Sequence, residues 1–258
     1  MKKHLYLLLL AVITCQFSFA QSTEESPSES YDKNVFKVNL TGLPLRNFGF
    51  QYERMLSRKS SFNLGLRFMP KGSIPMLSSF ETTIDDPTAY STLSAASING
   101  FAITPEFRVY LGKKGGPRGF YIAPFARYTT FDASLPTVEF TYEVTENNQT
   151  FTETRTIDMS GSLSGITGGL MLGSQWRLGK SVYLDWWIIG GSFGKSSGEL
   201  IGVSQLSVDE QDGLREELQT LDIPFVDYTV EVNSSGAKLN FDGPFASLRG
   251  GLSLGIKF

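Results

Sequence analysis

The chain has 258 residues, with 23 lysines and arginines against 26 aspartates and glutamates, and its only cysteine and only histidine lie near the N-terminus. Both Cys15 and His4 fall in a segment that we expect to be removed. The mature chain would then offer no disulfide, no cysteine nucleophile, no serine–histidine–aspartate triad and no zinc site built on thiolate or imidazole. We therefore predict that the protein is not an enzyme and carries no cofactor.

The first 20 residues are typical of a secretory signal peptide, because a cationic start precedes a mainly apolar run over 5–14 and the segment ends on the small residue Ala20. We expect cleavage after Ala20. Two alternatives stay open: a retained membrane anchor, which the short apolar run disfavours, and a lipoprotein signal ending at Cys15. The following serine- and glutamate-rich residues, 21–34, predict a disordered periplasmic tail.

The rest of the chain, 35–258, is dominated by segments that alternate apolar and polar residues with a period of two, the pattern of β-strands with one apolar face. Most are long enough for a tilted strand to cross a bilayer, which takes about 9 to 11 residues. The sequence therefore predicts an all-β, up-and-down antiparallel barrel of eight strands, at residues 35–41, 47–56, 61–70, 98–111, 119–131, 163–178, 181–193 and 246–258.

The connections between these strands alternate in length, as a transmembrane barrel with both ends in the periplasm requires. Short basic or glycine-rich turns are predicted at 56–60, 112–119 and 179–180. The other connections would be extracellular loops: a short one at 42–46 and long ones at 70–97, 131–162 and 194–244.

Two of the long loops carry predicted structure of their own. Threonine-rich alternating runs indicate that the fifth and sixth strands continue as a hairpin above the membrane, over 137–144 and 150–157. Ser207 and Glu210 fit a capping box that opens one short loop helix near 208–221, which Gly213 weakens and whose apolar face would hold Leu214, Leu218 and Leu221. A second hairpin is predicted over 225–241.

The polar faces of the strands distinguish a membrane barrel from a soluble lipocalin-like barrel. A soluble barrel scatters many lysines and glutamates over its outer surface, whereas these strands hold only three acids, Glu53, Glu106 and Asp185. No apolar run after the signal reaches the length of a spanning helix, so only a closed barrel could place this chain in a membrane. A periplasmic or secreted β-sandwich stays open as the alternative.

Strand parity places the three strand acids on the face opposite the lipid-facing residues, inside the barrel. Charge in a narrow lumen must be paired, so we predict a hydrogen-bonded plug centred on Arg108. Lys37 is expected nearer the periplasmic rim, and Arg67, Arg127 and Arg249 higher in the barrel. The full predicted interior cluster is Glu53, Glu106, Arg108, Asp185, Lys37, Arg67, Arg127 and Arg249. The alternative is that these charges are solvated separately in a wet lumen.

Three parts of the chain, Phe101–Tyr128, the loop helix near Asp209–Leu221 and Leu248–Phe258, resemble uncharacterised outer-membrane barrels common in Bacteroidota. The first contains Pro105-Glu106-Phe107-Arg108-Val109-Tyr110, and the last is a closing strand that ends in an aromatic residue. The resemblance implies an eight-stranded barrel in the outer membrane and assembly by the barrel-assembly machinery. It brings no catalytic residues with it.

Three functions are compatible with such a barrel. The favoured one is a structural or interaction protein of the Gram-negative cell envelope with a side-chain-filled interior, since eight strands enclose just enough space for side chains. A narrow passive channel for small or apolar solutes is the alternative, and an outer-membrane enzyme is least favoured because such enzymes generally use a histidine base. The expected partners are outer-membrane lipids, lipopolysaccharide and a larger envelope complex, while the acidic loops argue against nucleic acid.

Overall fold

The computed structural model describes residues 33–84, 87–113, 115–146, 149–220 and 226–258. The predicted signal peptide and nearly all of the predicted tail lie outside these ranges, as do Asn147, Asn148 and Leu221. The strands are β1 (Asn34–Asn39), β2 (Phe48–Met55), β3 (Ser60–Ser73), β4 (Ser97–Tyr110), β5 (Gly119–Glu146), β6 (Gln149–Arg177), β7 (Val182–Val203), β8 (Asp227–Asn233) and β9 (Gly236–Lys257). The helices are α1 (Pro87–Ala95) and α2 (Val208–Gln219), with 3-10 turns at Leu43–Leu45 and Leu77–Phe80.

The strands form one antiparallel sheet with the order β1-β2-β3-β4-β5-β6-β7-β9-β8, and β1 also pairs with β9. The β1–β9 pairing closes the sheet into a ring, in which each strand from β1 to β7 pairs with its sequence neighbour. The all-β, up-and-down prediction is thus confirmed at the level of a closed antiparallel sheet. The sheet has one strand more than predicted, because β8 of the second predicted hairpin pairs along β9 outside the ring.

The two ends of the ring differ in their connections. At one end, here called the turn end, short turns join β2 to β3, β4 to β5 and β6 to β7, as predicted. At the other end, the loop end, β5 and β6 continue together to residues 146 and 149, so the predicted hairpin extension is present. The strand β7 and the first half of β9 extend alongside them.

The two faces of the long strands exchange their polarity between the turn end and the loop end, as β6 illustrates. Toward the turn end, Ile166 and Leu170 point outward and are 63 % and 50 % exposed. Toward the loop end, Met159 and Ile157 point inward and are buried, while Asp158 between them is exposed. Between these two regions the side chains still alternate between inward and outward. The difference is therefore that mainly polar or small residues occupy the inward positions near the turn end and mainly apolar residues occupy them near the loop end.

Every strand of the ring contributes exposed apolar side chains to the outside of the turn-end half of the ring. We call this set the outer apolar band: Phe36, Phe50, Phe62, Phe68, Phe101, Phe107, Phe120, Ile166, Leu170, Trp186, Leu252 and Ile256. A soluble barrel would bury such residues inside. None of the helices within the described ranges is long and apolar enough to span a membrane.

An apolar core lies at the loop end, where α2 packs against the extended strands. Its buried members are Phe140, Ile157, Met159, Leu206, Leu214, Leu218, Ala237 and Leu239. The predicted capping box is present: the Ser207 hydroxyl accepts from the Glu210 backbone N–H, and the Glu210 carboxylate accepts from the Ser207 N–H. A Cβ on Gly213 would lie 2.6 Å from the Thr141 carbonyl oxygen, so this mid-helix glycine permits the close approach of α2 to β5.

Within the described ranges the structure has two α-helices, whereas the sequence predicted one loop helix. The additional helix, α1, lies in the segment 70–97, which was expected to be loop without regular structure. Pro87 occupies its first position, where proline is favoured because its fixed φ suits a helix and its missing N–H is not needed. The dipeptide Asp86-Pro87 is thus a start signal that sequence reasoning passed over.

Candidate functional site

Arg108 lies at the centre of a group of charged side chains inside the turn-end half of the ring. Its Nη1 is 2.7 Å from Asp185 Oδ2, and its Nη2 is 2.8 Å from Glu106 Oε2. The Arg108 Nε also donates to Glu106 Oε2, at 3.1 Å. Arg108 and Asp185 are fully buried, so these ion pairs are shielded from solvent.

Lys37 supplies a second cation to the same group. Its Nζ is 2.5 Å from Glu53 Oε2 and 2.7 Å from Asp185 Oδ2. We expected Lys37 near the rim, but its backbone pairs with Gln51 and its side chain is fully buried. Asp185 is thus shared by two cations, which holds strands β1, β4 and β7 together across the interior.

Two buried tyrosines complete the coordination of the carboxylates. The Tyr110 hydroxyl donates to Glu53 Oε1 at 2.5 Å, and the Tyr121 hydroxyl donates to Asp185 Oδ1 at 2.8 Å. The Arg108 guanidinium also lies over the Tyr121 ring, 4.5 Å from its centroid, where a cation is attracted to the aromatic face. Sequence reasoning missed both tyrosines, although each lies on the inward parity of its strand.

Neutral amides fill the gaps between the charged groups. The Gln175 Oε1 accepts from Lys37 Nζ at 2.5 Å, and the Gln51 Oε1 accepts from Arg108 Nη2 at 3.2 Å. Asn63 Nδ2 donates to Glu106 Oε2 at 3.1 Å. We call the whole assembly the ion network: Lys37, Gln51, Glu53, Asn63, Glu106, Arg108, Tyr110, Tyr121, Gln175 and Asp185.

Burial of this many charges is tolerated only with dense pairing. An unpaired ion in a low-dielectric interior costs several kcal/mol, on the order of the whole stability of a domain. Here each of the three carboxylates contacts a buried cation at 2.5 to 2.8 Å. The ion network therefore forms a tightly connected layer of side chains inside the ring.

Three further arginines of the predicted cluster lie on the loop-end side of the ion network. Arg249 joins it through Glu106, with its Nη2 3.1 Å from Oε1. Arg67 and Arg127 make no ion pair within the described part of the chain, although Arg127 is only 8 % exposed and its Nε donates to Thr129 Oγ1. The sequence-predicted residues thus divide into one connected group and two arginines apart from it.

A cavity of about 380 Å³ adjoins these arginines. Its lining includes Arg67, Arg127, Arg249 and Trp187, together with Asn39 and Asn47 near the β1–β2 connection. Among the described residues, no group of three or more histidine, cysteine, aspartate or glutamate side chains is placed to hold a metal ion. The chemistry of this region is therefore that of fixed cations, amides and an aromatic ring.

Comparisons with known proteins give one structural likeness. No protein-family model matches the sequence, and no curated protein sequence matches it. Among solved structures, the chain is similar to CarO of Acinetobacter baumannii at 14 % sequence identity and a TM-score of 0.36, over 90 % of this chain and 100 % of that one.

Proposed function

We propose that the protein is a non-enzymatic outer-membrane β-barrel of eight transmembrane strands whose lumen is sealed, and that it acts as a structural or interaction protein of the cell envelope. The observation that carries this proposal is the ion network, a fully buried layer of paired charges inside a closed ring. Membership of the Bacteroidota barrel family that the sequence resembles is part of the proposal, and rests on the sequence alone.

The outer apolar band supports a place in a membrane. On β9 the outward apolar residues run from Leu248 to Phe258, which matches the about 9 to 11 residues that a tilted strand needs to cross a bilayer. Beyond the band, β6 has polar outward residues such as Asp158 and apolar inward ones such as Met159. Such an exchange is expected where a strand passes from lipid into water.

The ion network supports a sealed lumen over a narrow channel. Lys37, Arg108, Glu53 and Asp185 are 0 to 1 % exposed, so solvent does not reach them from either end. A conducting pore needs a continuous hydrated path, in which charged side chains stay solvated. The alternative of a narrow passive channel for small or apolar solutes would require this layer to open.

The loop-end extension supports a role in interaction. Helix α2, β8 and the extended parts of β5, β6, β7 and β9 enclose an apolar core of their own. Ordering these segments costs backbone entropy. The result is a rigid outer surface, and many recognition surfaces are rigid in the same way. The expected partner class is another component of the envelope.

Conductance in planar lipid bilayers tests the sealed lumen. We expect the purified, refolded protein to insert without steady conductance. Arg108→Ala combined with Asp185→Ala removes one cation and one anion from the ion network, and should produce measurable ion flow. The matched control combines Arg155→Ala with Glu210→Ala, which removes an ion pair of the loop-end extension and should leave conductance at the parent level.

Two results would contradict the proposal. Steady conductance of the unaltered protein would exclude a sealed lumen. Recovery of the native protein as a monomer soluble without detergent would exclude the membrane barrel. Heat-modifiable migration on a gel should be measured for every variant, so that a missing conductance is assigned to a folded protein.

A further inference from the structure

The cavity above the ion network has no part in sealing the barrel. It lies on the loop-end side, since Thr41, Gly42 and Asn47 of the β1–β2 connection contribute to its lining together with the three arginines. We propose that this cavity is a binding site for a small soluble oxyanion, a carboxylate or phosphate, that enters from the loop end. The proposal rests on the interior of the closed ring and does not depend on the membrane location.

The balance of charge around the cavity favours an anion. Arg67, Arg127 and Arg249 line it, and Glu106 is the one carboxylate that the structure places against any of these three. That carboxylate also accepts from Arg108 through two guanidinium nitrogens, so its charge is already shared. The cavity thus carries an excess of positive charge.

The three guanidinium groups line the same cavity, so their like charges repel one another. Like charges brought together in a partly buried site destabilise the fold unless a counter-charge is bound. A bound anion would relieve this repulsion, which gives the site a physical reason to take one.

Arg249, which lines the cavity, has one guanidinium nitrogen without a hydrogen-bond acceptor among the described residues. Its side chain is 10 % exposed, and its Nη2 donates to Glu106, but its Nη1 is buried and has no hydrogen-bond acceptor among the described residues. The guanidinium is held in place from both sides, 4.7 Å from the centroid of Phe125 and 5.1 Å from that of Trp187. A fixed, half-used guanidinium is suited to a carboxylate or phosphate oxygen, whose planar or tetrahedral geometry its fork matches.

The size and lining of the cavity set the class of ligand. A volume of about 380 Å³ is at the lower end of the range for small-molecule sites. Three arginines can serve more than one acidic group. The site therefore fits a small solute with two or three carboxylates or a phosphate, with Trp187 available to cover an apolar part.

Titration of purified protein in detergent micelles with citrate and, separately, with inorganic phosphate tests the site. The buffer should hold little chloride, because chloride would compete for the arginines. Binding is followed by calorimetry and by the fluorescence of Trp187, with Trp187→Phe identifying the signal that comes from the cavity. We expect saturable binding, with citrate tighter than phosphate because it engages more arginines.

The decisive variant combines Arg67→Gln with Arg127→Gln. These arginines have no carboxylate partner in the described structure, so their removal should leave the barrel as stable as the parent or more stable, while weakening citrate about tenfold or more. The control is Arg54→Gln, which removes one positive charge from an exposed position on the outside of the ring and should leave binding unchanged.

Each outcome decides for or against the site. Loss of citrate or phosphate binding in the double variant, with Arg54→Gln unaffected, supports it. No saturable binding of either anion up to about 10 mM overturns it, and so does binding that the double variant leaves intact, since the anion would then sit elsewhere. The anion site is tested by binding and the sealed lumen by conductance, so a failure of one proposal is distinguishable from a failure of the other.

Discussion

Replacement of Glu106 by alanine is the sharpest perturbation of the ion network. Its carboxylate accepts from Arg108 Nε and Nη2 and from Asn63 through Oε2, and from Arg249 Nη2 through Oε1. The side chain is 2 % exposed, so water does not replace these contacts readily. The substitution leaves the ring interior with two carboxylates against five cations.

The expected loss of stability follows from what remains around each cation. Breaking a buried ion pair by removing one partner costs about 3 to 5 kcal/mol. Arg108 keeps Asp185 at 2.7 Å, and Arg249 borders the cavity, where water can reach it, so we place the loss at about 3 kcal/mol. For a chain of this size, that loss lowers the midpoint temperature of thermal unfolding by roughly 6 to 12 °C.

The assay is thermal unfolding in micelles, followed by circular dichroism and by the temperature at which the compact gel form is lost. Glu143→Ala is the matched control, because it removes an exposed glutamate of β5 and should shift the midpoint by less than about 0.5 kcal/mol. Adding Arg249→Met to Glu106→Ala should recover part of the loss, since it removes the cation left without a carboxylate. If Glu106→Ala unfolds at the same midpoint temperature as the parent, Glu106 does not stabilise the fold by pairing with the buried cations.

Three further predictions concern the outer face and α2. Leu170→Arg should destabilise the inserted barrel by about 2 to 4 kcal/mol in vesicles, whereas Thr154→Arg, outward but beyond the outer apolar band, should be neutral; equal effects would contradict the band. Ser207→Ala should cost about 1 kcal/mol by removing the N-cap and should increase hydrogen exchange in α2 without changing the β6 amides. Burial raises the pKa of Glu210, but hydrogen bonds from Ser207 and Arg155 outweigh it and lower the pKa below its ordinary 4.5. The stability from this carboxylate is therefore complete above about pH 4.5 and is lost as the pH falls through the lowered pKa, so exchange in α2 should rise on acidification, and Glu210→Gln should abolish that dependence.

Strand positions and inward faces could be predicted because the period of two is set by backbone geometry. Once 61–70 and 98–111 are strands, the parity of their phenylalanines and leucines fixes which face carries Glu106 and Arg108. The capping box was equally local, since Ser207 and Glu210 are three residues apart. Such features need no knowledge of which strands are neighbours.

Features that depend on three-dimensional neighbours escaped the sequence. Gln51, Gln175, Tyr110 and Tyr121 are neutral. Strand parity places such side chains on the inward face, but nothing local shows which carboxylate or cation each of them will contact. The hairpin of β8 with the first part of β9 was predicted, but the continuation of β9 as one strand along β7, from Gly236 to Lys257, depends on long-range pairing. Lys37 lies near the start of β1, and this place in the sequence suggested a position near the rim. Its position inside the ring follows instead from its pairing with Gln51 of β2.

The pairing of β5 with β6 continues far beyond the outer apolar band, with one register shift between Leu135 and Val138. On β5 the exposed apolar side chains of the turn-end half end at Tyr128, and the strand continues to Glu146, hydrogen-bonded to β6 along the way. At about 3.3 Å per residue this is roughly 60 Å of strand, and a tilt of about 45° reduces it to roughly 40 Å of height. Since β7, β9 and α2 brace its lower part, the hairpin is a stiff spacer. In the proposed membrane location it would hold Glu146 and Gln149 clear of the lipid headgroups and of short surface sugars.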